Sequence, residues 1–156
     1  MAAISTAAPL CPEHRIADAV VCEALSWLGT PYRHQASRKA VGCDCIGLVR
    51  GVWRALYGRE MERPGAYAPD WAEAGGEKRL LEGARRHFHE KPLSSAAPGD
   101  LLIFRWRPHL AAKHAGIMMS EKSFIHAYEG GGVVTVSALV PQWRRRIAAV
   151  FTFPDP

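Results

Sequence analysis

The sequence predicts an α+β domain in which N-terminal helices pack on a C-terminal antiparallel sheet. Apolar residues recur at helical spacing through the first half of the chain, whereas short alternating runs dominate after Asp100. Helices first and strands afterwards are typical of an α+β domain, because alternating elements would instead favour a parallel sheet. The 156 residues suffice for one domain with a substantial core. We therefore expect a single domain over residues 1–156, with residues 1–12 as a flexible tail.

Three segments carry helical signals. The first covers residues 14–28, where Gly29-Thr30-Pro31 forms a stop signal, since glycine past the last turn followed by proline ends helices. The second begins at Cys45 and ends near Gly58, and the third covers residues 71–88. A polar loop is expected over residues 32–43. The expected apolar side of the first helix consists of Ile16, Val20, Leu25 and Leu28.

Five short segments carry strand signals after the Pro98-Gly99 turn. They cover residues 101–104, 112–119, 123–128, 133–136 and 147–153. The short link Ser120-Glu121-Lys122 predicts a hairpin between the second and third of these strands.

Composition and charge narrow the class of protein without fixing its partner. Hydrophobic content of 48% and charged content of 22% are ordinary for a globular domain. The net charge of +5 suits an anionic partner such as a cell-wall polymer or a nucleic acid. The run Arg144-Arg145-Arg146 is interpreted as a solvated strand edge. No apolar run is long enough to span a bilayer, and residues 1–10 resemble no secretory signal, so we expect synthesis in the cytoplasm.

The four cysteines are Cys11, Cys22, Cys43 and Cys45. Without a secretion signal, reduced thiols are favoured over disulfides. The local spacing of Cys43 with Cys45, and of His87 with His89, does not match paired zinc ligands. We therefore predict no metal site and no cofactor.

Cys45 is the candidate nucleophile because it begins an amphipathic helix. Unpaired N–H groups and the positive end of the helix dipole favour a thiolate there, and the thiolate is the nucleophilic form of cysteine. Leu48, Val49, Val52 and Trp53 continue the apolar stripe that Cys45 begins. The alternative is that Cys45 is a small buried hydrophobe, as cysteines on apolar helix faces usually are.

Two histidines lie in the strands of the predicted hairpin. Period-two alternation places His114 and His126 on one face of the sheet if even-numbered residues pair with even-numbered residues. We expect the Cys45 helix to pack across this histidine face and bring the thiol to His114. A cysteine nucleophile needs a base, and the base needs a third group that orients its ring. The remaining histidines are interpreted as surface or hydrogen-bonded residues.

With these residues in place, the chain resembles the NlpC-type peptidases, which are papain-like cysteine enzymes that cut bacterial peptidoglycan. Sequence blocks in the order and spacing of that family run from Gly29 to Ala127. The blocks are Gly29-Thr30-Pro31-Tyr32, Asp44-Cys45-Ile46-Gly47-Leu48-Val49, Pro98-Gly99-Asp100-Leu101-Leu102, His114-Ala115-Gly116-Ile117 and Phe124-Ile125-His126-Ala127. The resemblance implies a papain-like fold.

The resemblance also assigns roles to individual residues. It implies that Cys45 is the nucleophile, that His114 is the general base and later the acid, and that His126 orients His114. It implies that Tyr32 lines the site near the thiol and helps to hold the oxyanion. It implies that Asp44 meets the free amine of the substrate.

Some positions depart from the family pattern. Ile46 stands where serine is common, and Arg33-His34-Gln35 replaces small and glycine-rich residues. Together with Cys43-Asp44-Cys45, this combination most resembles the phage-tail subgroup, which includes the peptidases of gene transfer agents.

The expected activity is that of a thiol protease that cleaves peptidoglycan stem peptides, at D-γ-glutamyl–diaminopimelate bonds, from the tail of a phage-like particle (a virion component). The expected partners are the stem peptide and tail or hub proteins, with no specific nucleic acid and no membrane span. Two alternatives stay open. One is a structural adaptor of a tail with a peptidase-like fold, and the other is an amidase or acyltransferase on the same scaffold.

Overall fold

The structure, a computed structural model, describes residues 12–61, 77–110 and 112–156. Residues 1–11 of the expected tail, most of the predicted loop after Arg59 and the predicted helical residues 71–76 lie outside the described residues.

Four helices and eight strands make up the described chain. The helices are α1 (Pro12–Leu25), α2 (Cys45–Tyr57), α3 (Glu77–His87) and the short α4 (Pro141–Arg144). The strands are β1 (Ser37–Arg38), β2 (Gly42–Cys43), β3 (His89–Lys91), β4 (Leu101–Arg105), β5 (Ala112–Ser120), β6 (Ser123–His126), β7 (Thr135–Ala138) and β8 (Ile147–Thr152).

Six strands form one antiparallel sheet in the order β3-β8-β4-β5-β6-β7. Strands β1 and β2 form a separate two-stranded ribbon just before α2. The helices precede the main sheet in sequence, apart from α4, so the predicted α+β class is confirmed.

Helix α2 begins and ends as its sequence predicts. Asp44 is the N-cap, and its side chain accepts a hydrogen bond from the backbone N–H of Gly47. Gly58 ends the helix in the left-handed region at φ 66°, which glycine adopts without steric cost. Leu48 and Val52 of the apolar stripe are fully buried, so the stripe faces the core as predicted.

Helix α1 is shorter than predicted and presents a different side to the core. It ends at Leu25, and Leu25 and Leu28 are 42% and 47% exposed. Ala24 and Trp27 are buried instead. The Trp27 ring lies so close to Gly51 of α2 that a β-carbon at position 51 would overlap it at 2.0 Å. Close contact between α2 and the turn after α1 therefore depends on glycine at this position.

The two faces of the sheet bury different clusters. Odd-numbered strand residues such as Ala115 and Ile117 belong to the larger core, which also contains Leu48, Val49 and Val52 of α2. Even-numbered residues such as Phe104, Met118 and Phe124 form a second cluster, against which Trp143 of α4 packs. Helix α2 therefore packs on the face opposite the histidines. The prediction that it crosses the histidine face is wrong, because both faces are apolar and alternation alone does not say which one a helix covers.

Several elements differ from the prediction. Strands β1, β2 and β3 and helix α4 lack a clear apolar pattern and were not predicted, and β7 begins two residues later than expected. The arginine run begins in α4 rather than along a strand edge. Among the described residues, no helix is long and apolar enough to cross a membrane.

Candidate active site

Cys45 is the first residue of α2, and a network around Asp44 fixes its position. Asp44 is 3% exposed. Its two carboxylate oxygens accept backbone hydrogen bonds, Oδ1 from Gly47 at 2.8 Å and Oδ2 from Gln35 at 2.7 Å. The cap therefore ties the loop before the ribbon to the start of the helix. A substrate amine at Asp44, the role implied by the family resemblance, would share oxygens that are already bonded.

The sulfur of Cys45 lies against strand β5, next to the backbone N–H of Ala115. The nearby backbone N–H groups of Ala115, Ile46 and Cys45 itself lower its pKa. Burial, reinforced by the negative charge of Asp44, outweighs them and raises the pKa of Cys45 to about 12. The resting thiol is thus neutral. Burial therefore opposes the thiolate form that the helix start favours.

His114 and His126 form a hydrogen-bonded pair on adjacent strands. His114 Nε2 lies 2.8 Å from His126 Nδ1. The register pairs Gly116 with His126 and Met118 with Phe124, so even-numbered residues oppose even-numbered residues and the histidines share a face, as predicted. Because Nε2 of His114 is engaged with His126, Nδ1 on the other side of the ring is the nitrogen available to a thiol.

Burial keeps both imidazoles neutral. His114 is 4% exposed and His126 is fully buried. Burial and the nearby His126 lower the pKa of His114 to about 3. Burial lowers the pKa of His126 to about 4. Aromatic rings enclose His114, with centroids 5.8–6.1 Å from its own, and these rings belong to Phe104, Trp106, Tyr128 and Trp143.

These neutral histidines predict acid sensitivity of the fold. The unfolded chain protonates histidine near pH 6.5, whereas the folded chain resists protonation to about pH 3 for His114 and about pH 4 for His126. Their stabilising effect is therefore full above pH 6.5 and is lost as the pH falls. We expect the free energy of unfolding to decline by about 1.4 kcal/mol per pH unit per histidine over this range. Urea unfolding between pH 7.5 and 4.5 measures this slope.

The matched control for that slope is an exposed histidine. His126→Gln should flatten the dependence of the unfolding free energy on pH, whereas His109→Gln should leave it unchanged, since His109 is exposed. An identical slope in wild type and His126→Gln would contradict the assignment.

Tyr32 lies close enough to Cys45 for a thiolate charge there to influence its phenol. Its pKa is raised to about 12 by burial and by the negative charges that Cys45, Asp44 and Glu129 can carry. Its backbone N–H donates to Gly132 at 2.8 Å, and it forms an isolated bridge with Cys43. The phenol therefore keeps its proton at neutral pH and remains a hydrogen-bond donor next to Cys45.

Three further side chains lie around the histidines, and the sequence predicted none of them to be at the site. Ser137 Oγ lies 2.8 Å from His126 Nε2. Trp106 stacks on His114 at an interplanar angle of 21°. Arg146 places its guanidinium over the rings of Trp106 and Trp143, at 4.8 and 5.3 Å from their centroids. Arg146 was interpreted as part of a solvated strand edge, whereas no local motif marks Ser137 or Trp106, whose positions depend on strand register and on a loop.

The remaining cysteines differ in their environments. Cys22 is exposed and Cys43 is buried, and both are free thiols, as is Cys45. Burial, with Asp44 nearby, raises the pKa of Cys43 to about 12. Within residues 12–61, 77–110 and 112–156, no group of histidine, cysteine and carboxylate side chains could hold a metal ion. Cys11 lies outside the described residues.

The architecture is that of the papain-like α+β folds, with a cysteine at a helix start and a histidine pair on an antiparallel sheet. The chain belongs to the NlpC/P60 family, whose family model matches residues 29–152. It is similar to the NlpC/p60 domain of the peptidoglycan hydrolase SagA, with a TM-score of 0.61 and 25% identity, covering 89% of this chain and 98% of that one.

Curated relatives show the same similarity in sequence. The murein DD-endopeptidase MepS/murein LD-carboxypeptidase of Escherichia coli K12 is 28% identical over 120 residues, which cover 77% of this chain and 54% of that protein. The probable endopeptidase NlpC of E. coli K12 is 26% identical over 140 residues, which cover 86% and 80%. The chain thus spans about half the length of the first of these relatives.

Proposed function

We propose that this chain is a cysteine peptidase that hydrolyses amide bonds in the stem peptides of peptidoglycan. The observation that carries the proposal is the meeting of a capped helix start with a histidine pair. The Cys45 sulfur lies next to the backbone N–H of Ala115, the residue after His114, and His114 is hydrogen-bonded to His126. The names of the relatives, murein endopeptidase and peptidoglycan hydrolase, support the substrate class.

The proposed reaction starts from a neutral thiol and a neutral imidazole. As the Cys45 sulfur attacks the peptide carbonyl, its proton moves to Nδ1 of His114. The tetrahedral oxyanion is stabilised by N–H groups at the start of α2, chiefly that of Cys45, and by the Tyr32 hydroxyl. Because these donors are fixed by the fold, they need no reorganisation as the oxyanion forms.

The oxyanion then collapses, the carbon–nitrogen bond breaks, and His114 gives its proton to the leaving amine. This leaves a thioester on Cys45. Water attacks the thioester carbonyl and passes its proton to His114, which returns a proton to sulfur as the carbon–sulfur bond breaks. The products are a free carboxylate and a free amine. Throughout, His126 holds the ring of His114 in place.

Within this function we propose that the bond cut is D-γ-glutamyl–diaminopimelate. Mass spectrometry of purified peptidoglycan digested by the protein tests this assignment, with a Cys45→Ala digest as control. The expected products carry new amino groups on diaminopimelate. Intact stems released from glycan at L-alanine would indicate an amidase instead. Absence of products, together with a Cys45 thiol inert to labelling at pH 6, would indicate an adaptor.

We also propose that the protein acts from the tail of a phage-like particle. Support comes from sequence alone, through the combination of Arg33-His34-Gln35 with Cys43-Asp44-Cys45. Mass spectrometry of purified, protease-treated particles and of separated tails tests this location. Recovery of the chain with tails supports the proposal, and its recovery only from particle-free cell fractions contradicts it.

A further inference from the structure

The histidine pair continues into a third hydrogen-bonded residue, Ser137, on strand β7. The Ser137 Oγ lies 2.8 Å from His126 Nε2, the nitrogen that does not contact His114. In the register, Phe124 opposes Ser137 and His126 opposes Thr135, so Ser137 is a diagonal neighbour of His126 on the same face. The three side chains thus form one chain of hydrogen bonds across β5, β6 and β7.

Only one distribution of protons on the ring nitrogens of the two histidines lets His114 act as a base. To accept a proton from Cys45, His114 needs a lone pair on Nδ1 and therefore carries its own proton on Nε2. That Nε2–H must donate to Nδ1 of His126, which lies 2.8 Å away. His126 must then carry its proton on Nε2, where the acceptor is Ser137 Oγ. The same arrangement holds after His114 becomes an imidazolium, because its Nε2–H is retained.

We propose that Ser137 is a positioning residue that holds His126 in its Nε2–H tautomer and thereby leaves Nδ1 of His114 free to take the Cys45 proton. The hydroxyl oxygen of Ser137 accepts the bond and touches no reacting atom. The inference deepens the proposed peptidase function and rests on it for the identity of the proton donor.

Loss of the Ser137 hydroxyl should favour the Nδ1–H tautomer of His126, which does not support catalysis. His126 is fully buried, so an Nε2–H without an acceptor would be left without water as a substitute. Moving the proton to Nδ1 relieves that cost, but Nδ1–H then donates to Nε2 of His114. His114 would in turn carry its proton on Nδ1, where it faces the thiol as a donor rather than as a base.

The test compares Ser137→Ala with Ser137→Thr in the full chain. Threonine keeps the acceptor oxygen and suits a strand, and Ser137 is only partly buried, at the edge of the sheet. Thr135→Val is the matched control, since it removes a hydroxyl from the same strand opposite His126 without touching the His126–Ser137 bond.

Three measurements are made on each variant. Nitrogen-15 NMR of the histidine rings reads the tautomer of His126, iodoacetamide alkylation against pH reads the reactivity of Cys45, and peptidoglycan digestion gives kcat and KM. For Ser137→Ala we expect a shift of His126 toward Nδ1–H, about a tenfold fall in alkylation rate and kcat, and an unchanged KM. Ser137→Thr and Thr135→Val should match wild type.

Failure of this inference and failure of the proposed function give different results. If Ser137→Ala keeps the wild-type tautomer, alkylation rate and kcat, Ser137 has no positioning role. If Ser137→Ala slows alkylation of Cys45 but the wild-type protein releases nothing from peptidoglycan, the positioning role of Ser137 is supported and the proposed substrate is wrong.

Discussion

Cys45→Ala is expected to abolish peptidoglycan cleavage while the chain stays folded. The substitution removes the sulfur that forms the thioester, and no other described thiol lies at the helix start beside β5. Loss of a nucleophile costs at least about 10⁴-fold in turnover when the other residues remain. Because burial keeps the thiol neutral, no charge interaction of the resting state is lost. Release of soluble muropeptides measures turnover, and urea unfolding measures stability.

Two other cysteines provide controls for this result. Cys22→Ala removes an exposed thiol on α1 and should leave both cleavage and stability unchanged. Cys43→Ala removes a buried thiol two residues before Cys45 and should cost stability, about 1 kcal/mol, without abolishing cleavage. Cleavage that survives in Cys45→Ala but is lost in Cys43→Ala would identify Cys43 as the nucleophile instead of Cys45.

Gly47→Ala is expected to destabilise the chain strongly, against the intrinsic preference of helices for alanine. A β-carbon at position 47 would lie 1.8 Å from the backbone oxygen of Ala36 and 2.9 Å from its carbonyl carbon. Backbone atoms of the preceding loop cannot rotate away as a flexible side chain would. We expect a loss of about 3 kcal/mol in the free energy of unfolding, measured by urea titration.

The control for Gly47→Ala is the reverse change at an exposed site of the same helix. Ala55→Gly should cost about 1 kcal/mol through helix propensity alone. The loop pushed by Gly47→Ala also carries Gln35 and Ser37, whose hydrogen bonds reach Asp44 at 2.7 Å and the Gly47 carbonyl at 2.6 Å. Activity should therefore fall with stability. A Gly47→Ala chain as stable as wild type would contradict this account of the packing.

The sequence predicts the elements that carry the candidate site because their signals are local. Helix α2 is bounded by Asp44 and Gly58, residues that cap helices for known steric and hydrogen-bonding reasons. The β5–β6 hairpin follows from alternation and a short polar link. These two elements are enough to place His114 beside His126 and Cys45 at a helix start.

What the sequence does not predict depends on non-local register or on competition between effects. Both faces of the sheet are apolar, with Ala115 and Ile117 on one and Met118 and Phe124 on the other, so α2 could have covered either. The helix dipole is visible in the sequence, whereas the burial that outweighs it at Cys45 is not. The roles of Cys45, His114, His126, Tyr32 and Asp44 remain predictions, which the variants above test.

Strand β8, Ile147–Thr152, contributes no side chain to the candidate site, yet it lies between β3 and β4 inside the sheet. Without it, β4 loses one of its two partners and the main core loses Ala149 and Phe151. Because β8 is the last of the described strands in sequence, the main sheet has all six strands only once residue 152 has been synthesised. The strand that carries His114 therefore pairs with a β4 whose own second partner, β8, is made last among the described strands.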